Sequence, residues 1–341
     1  MYVIGLDIGG ANLKAADADG KAVSRRFALW NSPDRLHDEL ALLISEFDKP
    51  DCLSVTMTAE LADCFSTKAE GVDQVLRSVQ QAAGQTPVFV WQTGAEFVTC
   101  DVAREIPLLV AAANWHLLAT WLGRMVPHST ALLIDIGSTT TDLIPLKGGV
   151  PVPNGMTDCE RLQAGELVYS GVRRTPLCAL AQKVPYRADY CPLAAELFAT
   201  TLDVYLTLGL IPEDETDFDT ADGRPATIEA AHQRLARMLC CDTTEFSRDD
   251  AKMIARFLAD VQEQRIIGAL DSVLSRLDQP CEDVLISGSG LFLGGSIAEN
   301  HRRLKNARIT SLNDQFTDNA AHAACALAAA RLGSERLGDK M

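Results

Sequence analysis

The sequence lacks a basic stripe and any long uninterrupted hydrophobic run. It has 31 lysines and arginines against 46 aspartates and glutamates, a net charge of −15. No cluster of positive residues could neutralise a run of phosphates, so nucleic acids and anionic membrane surfaces are not expected partners. The longest apolar stretch, residues 106–123, is interrupted by Pro107, Asn114 and His116. This interruption favours a core helix over a membrane span.

Patterns for disulfide frameworks and metal centres are also missing. None of the ten cysteines forms a CxxC pair, and the adjacent Cys240 and Cys241 have poor geometry for a shared zinc ion. The six histidines show no ligand spacing. Scattered cysteines are typical of reduced thiols, and residues 2–7 read as a buried strand rather than a signal peptide. We therefore expect a cytoplasmic protein without a structural metal.

The 341 residues are enough for roughly two domains. Strand-like runs alternate with helical patterns, which is typical of an α/β architecture. The strands are predicted at 2–8, 11–18, 22–29, 51–58, 87–91, 130–136, 139–146, 281–287 and 304–310. The helices are predicted at 33–48, 71–83, 107–122, 247–277, 291–300 and 315–332. The middle, 151–230, is the least regular part, and its acidic run at 213–217 is interpreted as a solvated loop.

Two segments of the chain share one plan. Residues 3–10 and 132–138 each form an apolar strand that ends at an aspartate, Asp7 or Asp135, before a turn of small residues and an outgoing strand. An internal duplication explains this recurrence. We therefore predict an N-terminal domain at 1–126, a C-terminal domain at 127–332 and a flexible tail at 333–341.

The turns after these strands are suited to phosphate chemistry. Glycine lets backbone N–H groups approach an anion, and a carboxylate at a strand end can hold hydrated Mg²⁺. We predict Asp7 and Asp135 as metal ligands; the alternative is an aspartate that caps its own turn. Lys14 is predicted to point back at a phosphate, with a solvated lysine as the alternative. The predicted phosphate-binding residues are Gly9, Gly10, Asn12, Gly137, Ser138, Thr139 and Thr140.

Together with a third small-residue turn at 287–290, these segments resemble the phosphate 1, phosphate 2 and adenosine segments of the sugar kinase, heat-shock 70 and actin superfamily. Residues 135–142 resemble the second phosphate loop of its hydantoinase/oxoprolinase branch. The resemblance covers most of the chain. It implies an α/β protein with two domains of duplicated actin/ribonuclease H-like fold. It also implies an interdomain cleft that holds a phosphate ester and a divalent cation, here Mg²⁺.

Residues 55–65, 91–97 and 157–176 resemble more closely the family linked to tetrahydromethanopterin C1 transfer, whose archaeal members make a methanofuran precursor. The resemblance implies a transferase that joins an aminomethyl-furan methyl diphosphate to a phenolic acceptor of the tyramine or tyrosine type and releases diphosphate. That chemistry needs no ATP. The alternative is an ATP-dependent small-molecule kinase or an oxoprolinase/hydantoinase-like enzyme. The expected partners are small-molecule substrates, and a homodimer is left open.

A phenol with a pKa of about 10 needs a base near neutral pH. Glu60 and Asp142 are both candidates, although Glu60 could instead serve a helix cap. Arg173 and Arg174 could clamp a diphosphate or a carboxylate, with one of them on the surface as the alternative. Gly288 and Gly290 could contact the furan end of the substrate or only form a turn. Arg161 and Glu166 are predicted to form an ion pair.

Overall fold

The computed structural model describes residues 1–338 and contains two mixed β-sheets. The first sheet has the order β3-β2-β1-β4-β5-β6, in which β1, β4 and β5 are parallel and the β1–β2, β2–β3 and β5–β6 pairs are antiparallel. Its strands are β1 (Val3–Ile8), β2 (Asn12–Asp17), β3 (Ala22–Arg26), β4 (Cys52–Met57), β5 (Val88–Gln92) and β6 (Glu96–Thr99).

The second sheet repeats this plan. Its order is β10-β8-β7-β13-β14, with β9 also paired to β8 and with β7, β13 and β14 parallel. A separate hairpin pairs β11 with β12. These strands are β7 (Thr130–Ile136), β8 (Thr141–Lys147), β9 (Val150–Pro151), β10 (Leu167–Val168), β11 (Lys183–Tyr186), β12 (Asp189–Pro192), β13 (Asp283–Ser287) and β14 (Arg308–Ser311). The predicted duplication and the actin/ribonuclease H-like fold class are confirmed.

The helices cover the sheets and join them. They are α1 (Leu36–Ile44), α2 (Lys68–Ala83), α3 (Cys100–Glu105), α4 (Pro107–Val110), α5 (Asn114–Leu122), α6 (Asp158–Ala164), α7 (Leu177–Leu180), α8 (Thr201–Thr207), α9 (Ile228–Arg237), α10 (Arg248–Ser275), α11 (Leu291–Asn300), α12 (Asp318–His322) and α13 (Ala324–Arg336). Ser247 caps the long helix α10, as its sequence predicts, through a capping box with Asp250. Within residues 1–338, no helix is both long enough and apolar enough to cross a bilayer.

Three of the predicted helices are divided in the structure, and a fourth, predicted at 71–83, begins earlier, at Lys68. The helix predicted at 107–122 is split into α4 and α5, because Ala112 between them has a positive φ of 47°. The helix predicted at 33–48 begins with a short 3₁₀ turn, Pro33–Arg35, before α1. The final helix is divided into α12 and α13, and α13 continues to Arg336.

Helices α5 and α13 connect the two sheets through one apolar core. This core contains Val3 and Trp91 of the first sheet, Leu133 of the second, Leu118 of α5 and Leu327 of α13. The last helix of the described chain therefore packs on the sheet that contains the first strand. The domain ranges 1–126 and 127–332 remain a prediction. A division at these positions would separate α13 from the sheet it covers.

The flexible tail predicted from residue 333 is wrong for its first part. Residues 333–336 complete α13, and Leu337 is fully buried. Burial of a leucine side chain contributes about 1.5–3 kcal/mol relative to exposure, which ties this end of the chain to the core. The predicted tail residues 339–341 lie outside the described residues.

Gly5 allows α13 to lie directly on β1, and this close approach yields a stability prediction. A Cβ at Gly5 would overlap the carbonyl oxygen of Ala326 and lie 2.5 Å from the backbone nitrogen of Ala330. We expect Gly5→Ala to lower the free energy of unfolding by about 1–3 kcal/mol, measured by urea denaturation.

Gly268→Ala is the matched control for this substitution. Gly268 lies on the exposed side of α10, and a Cβ there meets no atom within 4 Å. We expect this change to stabilise the protein by about 0.5–1 kcal/mol, because alanine has the better helix propensity. A Gly5→Ala variant as stable as the wild type would contradict the tight packing of α13 on β1.

Candidate active site

The first aspartate lies between a lysine and a threonine. In the strand register, Asp7 of β1 is opposite Lys14 of β2 and beside Thr56 of β4. The carboxylate is buried, and its Oδ1 has no hydrogen-bond partner within residues 1–338. Burial raises the pKa of Asp7, and the charge of Lys14 opposes that rise. Asp7 therefore has a free oxygen next to a positive charge.

The second sheet places an equivalent set of side chains. Asp135 of β7 is opposite Asp142 of β8 and beside Ser287 of β13. Burial, then Asp142 and to a smaller extent Asp7, raise the pKa of Asp135 to about 7, whereas the Ser287 hydroxyl and Lys14 lower it. Since the charges of Asp7 and Lys14 both act on Asp135, the ends of the two hairpins lie near each other.

The two turns have the same backbone geometry. The N–H of Gly9 donates to the carbonyl of Asn12 at 3.0 Å, and the N–H of Gly137 donates to the carbonyl of Thr140 at 2.8 Å. Both turns are partly exposed, including all seven predicted phosphate-binding residues: Gly9, Gly10, Asn12, Gly137, Ser138, Thr139 and Thr140. The aspartates lie below these turns, so a ligand that reaches the carboxylates also meets the turn backbones.

Arg173 and Arg174 are attached to the second turn through their backbones. Both backbone N–H groups donate to the carbonyl of Ser138 at 3.0 Å. The Arg173 guanidinium forms an ion pair with Asp217 at 2.5 Å, and Arg26 of β3 pairs with the same carboxylate at 2.6 Å. The Arg174 guanidinium lies over the ring of Trp30 at 5.2 Å. The arginine pair therefore joins the second turn to the first half of the chain.

These contacts correct the interpretation of the acidic run at 213–217 as a solvated loop for its last residue, whereas Glu213 and Glu215 are exposed as predicted. Asp217 is buried, and Arg173 and Arg26 hold its pKa below the usual range against the effect of burial. A carboxylate that is buried between two guanidinium groups is a structural element rather than a solvated side chain.

Gly288 and Gly290 lie directly behind Asp135 and its turn. Gly288 has a φ of +89°, and a Cβ there would lie 2.6 Å from Oδ1 of Asp135. Gly290 is buried, and its N–H donates to the carbonyl of Ile136 at 2.8 Å. Both glycines thus support the second hairpin at close range.

Asp142 has a cationic partner that the sequence did not predict. Arg161 of α6 donates to Oδ1 of Asp142 at 2.7 Å and lies 4.0 Å from the ring centre of Trp115. Burial raises the pKa of Asp142, and Arg161 opposes that rise. The predicted Arg161–Glu166 ion pair is wrong: Arg161 contacts only the backbone carbonyl of Glu166, whose carboxylate pairs with Arg276 at 3.2 Å.

Glu60 lies at the edge of this group. Its side chain is 1% exposed, and Oε2 has no hydrogen-bond partner within the described chain. The pKa of Glu60 is raised to about 7, chiefly by burial and to a smaller extent by Asp158, against the lowering effects of backbone N–H groups, including that of Ala112, and of Lys68. Asp158 also raises the pKa of Asp142. Glu60 is thus linked to the hairpins through Asp158.

Two further residues reach the site from the end of the chain, and sequence reasoning missed both. Partial burial, together with the charges of Lys14 and Arg173, lowers the pKa of His322 to about 4, and the residue keeps an exposed surface. Burial and the nearby Asp7, Asp135 and Asp142 raise the pKa of Cys325 well above its ordinary value. Neither residue belongs to a motif, because only the return of α12 and α13 brings them close.

Asp7 and Asp135 fit a magnesium ion whose other ligands are water and the phosphates of a bound substrate. Residues 1–338 contain no group of three or more His, Cys, Asp or Glu side chains arranged to hold a metal. Mg²⁺ usually takes one or two carboxylates and completes its octahedron with water and substrate phosphates. The unpartnered Oδ1 of Asp7 and the facing Asp135 provide such a pair.

Comparison with known proteins gives consistent results. The family model described as hydantoinase/oxoprolinase matches residues 51–334. A protein of Methanocaldococcus jannaschii named (4-{4-[2-(gamma-L-glutamylamino)ethyl]phenoxymethyl}furan-2-yl)methanamine synthase is 34% identical over 340 residues, 99% of each chain. A protein of Methanococcus vannielii with the same name is 35% identical over 164 residues, 47% of this chain and 70% of its own.

Solved structures with similar folds include an activator of 2-hydroxyisocaproyl-CoA dehydratase from Clostridium difficile with bound ADPNP. It is 12% identical with a TM-score of 0.46, and the match covers 100% of this chain and 97% of that chain.

The buried Glu60 generates a prediction about stability and pH. Because its pKa rises from 4.5 to about 7 on folding, the folded state binds the proton more tightly, and stability falls as the pH increases from 4.5 to 7. At about 1.4 kcal/mol per pKa unit the full penalty is about 3 kcal/mol. We expect Glu60→Gln to remove this penalty. The free energy of unfolding of the variant relative to the wild type should therefore increase by up to about 3 kcal/mol between pH 5 and pH 8.

Urea denaturation at both pH values measures this difference. Glu105→Gln makes the same chemical change at an exposed position, and we expect it to leave the pH dependence of stability unchanged. An equal difference between wild type and Glu60→Gln at pH 5 and pH 8 would contradict the burial of an uncompensated carboxyl group at Glu60.

Proposed function

Because the chain belongs to the hydantoinase/oxoprolinase family, we propose that it is a transferase that joins an aminomethyl-furan methyl diphosphate to a phenolic acceptor, with release of diphosphate. The product would be an alkyl aryl ether of a methanofuran-type cofactor precursor for tetrahydromethanopterin-linked C1 metabolism. The full-length similarity to a named synthase supports this assignment. The observation that carries it is the pair of facing hairpins with Asp7 and Asp135 at their centre.

The proposed step forms one bond and breaks another. The phenol oxygen attacks the furan methylene carbon, the bond from that carbon to the diphosphate oxygen breaks, and the phenol proton leaves. Lys14, Arg173 and the backbone N–H groups of the two turns would stabilise the charge that develops on the diphosphate. Mg²⁺ held by Asp7 and Asp135 would supply further neutralisation of the diphosphate oxygens when bound. Because a furan methylene tolerates positive charge, the residues that stabilise the leaving group contribute most.

We assign the phenol proton to Asp142 rather than to Glu60. Asp142 is directly opposite Asp135 in the strand register, whereas Glu60 lies beyond the end of β4, outside the two hairpins. Arg161 occupies Oδ1 of Asp142 and orients the carboxylate, so Oδ2 can accept the proton.

Substitution of the two aspartates tests the function directly. Purified protein is incubated with Mg²⁺, the furan diphosphate and tyramine, tyrosine or γ-glutamyltyramine, and ether and diphosphate are quantified. We expect Asp7→Asn and Asp135→Asn each to lower kcat/KM by about 100-fold or more, as for the loss of a group that stabilises the transition state. Asp34→Asn, at an exposed position, should retain wild-type turnover. Full activity in both aspartate variants would disprove the proposed metal site.

Ligand-induced thermal stabilisation separates the transferase from the ATP-dependent alternatives. A ligand that binds only the folded state raises the melting temperature. We expect diphosphate with Mg²⁺ to stabilise the wild type, and ATP with Mg²⁺ to give no comparable shift. A larger shift with ATP would instead favour a kinase or an oxoprolinase/hydantoinase-like enzyme. The same measurement on Lys14→Met should show a smaller shift with diphosphate.

A further inference from the structure

Glu60 is a buried carboxylate without a partner on one oxygen. The side chain is 1% exposed, and Oε2 accepts no hydrogen bond from residues 1–338. Burying a carboxylate without a compensating partner is costly. The phosphate chemistry assigned above does not use this side chain, so its position requires another explanation.

The position of Glu60 is fixed by its surroundings. A Cβ at Gly71 of α2 would overlap the backbone carbonyl of Glu60, so the helix is packed tightly against this residue. On the other side, Ala112 adopts a positive φ of 47°, which is rare for alanine, and its backbone N–H lowers the pKa of Glu60. Strained backbone of this kind is concentrated at functional sites.

A second carboxylate approaches Glu60 from the other half of the chain. Glu60 follows β4 of the first sheet, whereas Asp158 begins α6, which lies beside β10 of the second sheet. The charge of Asp158 acts on Glu60 and also on Asp142. Lys68 is a nearby positive charge, but it does not bond to Oε2 of Glu60. The structure places them at one seam: Arg161 of the same helix α6 lies 4.0 Å from the ring centre of Trp115, shortly after Ala112. Two carboxylates at this seam favour a cation between them.

We infer that Glu60 and Asp158 bind the primary ammonium group of the aminomethyl-furan donor. The inference rests on the proposed function for the identity of the ligand. A buried, unpartnered carboxylate oxygen suits a compact ammonium group, which has three N–H donors. Because the carboxylates come from different halves of the chain, the ammonium group of the donor would lie between the two halves.

The location of Asp158 favours the donor over the acceptor as the source of this ammonium. Asp158 lies on α6 together with Arg161, which donates to Asp142 at 2.7 Å, and Asp142 pairs with Asp135 in the strand register, so the acidic pair borders the site of bond formation. In the donor, a rigid furan ring holds the ammonium group a short, fixed distance from the reacting methylene. The amine of the acceptor is separated from its phenol by a flexible chain and lies on the opposite side of the new bond.

Binding of furan-2-ylmethanamine tests the site without any turnover. This probe carries the furan and the ammonium group but no diphosphate, and calorimetry at pH 8 measures its Kd. We expect Glu60→Gln to weaken its binding by about 10- to 100-fold, the usual loss for a charge-assisted hydrogen bond, and Asp158→Asn to weaken it in the same direction. Glu105→Gln is the matched control and should bind the probe as the wild type does.

Furan-2-ylmethanol is the neutral counterpart of the probe. We expect it to show no measurable binding to the wild type or to any variant. Equal binding of the amine to wild type and Glu60→Gln, or equal binding of amine and alcohol to the wild type, would overturn the inference. The inference would also fail if Lys68→Met bound the amine no more tightly than the wild type and if Lys68→Met and Glu60→Gln were both less stable than the wild type at pH 8, since Lys68 would then be the partner of Glu60.

Turnover separates failure of the inference from failure of the proposed function. A second donor carries methyl in place of aminomethyl. In the wild type, kcat/KM should be much larger for the natural donor than for this methyl donor, and in Glu60→Gln this ratio should fall at least about tenfold. An equal loss with both donors would make Glu60 the base and overturn the ammonium site. Absence of product from either donor in the wild type would disprove the transferase, whereas the amine-binding experiment would still decide the role of Glu60.

Discussion

Asp7 faces Lys14, and Asp135 faces Asp142. In each antiparallel hairpin the aspartate pairs with the residue seven positions later. This register is the constraint on which the site depends. A shift by one residue would turn every side chain of the outgoing strand to the other face of its sheet. The tight turns after β1 and β7 fix the register through equivalent backbone hydrogen bonds, Gly9 to Asn12 and Gly137 to Thr140. Turn geometry thus determines which charges meet at the centre of the molecule.

The duplication repeats the backbone of this arrangement but changes its charges. Lys14 in the first hairpin corresponds to Asp142 in the second, and Thr56 corresponds to Ser287. One half thus contributes a cation and the other an additional carboxylate. A symmetric pair of hairpins becomes an asymmetric site, which is what a reaction with a leaving group on one side and a nucleophile on the other requires. The raised pKa values of Asp7, Asp135 and Asp142 are consistent with a functional role for that asymmetry.

The hairpins could be predicted because their signals are local: an apolar strand, an aspartate and a turn of small residues occupy about ten consecutive positions. The partners of Asp142 and Asp217 could not be predicted from the sequence, since only the fold brings Arg161 and Arg26 to them. The same holds for Cys325 and His322, which come from α13 and α12. The break between α4 and α5 was missed for a different reason, because it is formed at Ala112, a residue that normally favours helix.

The packing of α13 on β1 also bears on how the chain is made. Strand β1 is synthesised well before α13, so the face it presents near Gly5 stays uncovered until α13 has been made. The nascent chain must therefore keep an apolar strand surface exposed while the residues between these two elements are translated, a state prone to aggregation. Because the strands of the second sheet lie between β1 and α13 in the sequence, the core of the first sheet is completed only after the second sheet has been synthesised.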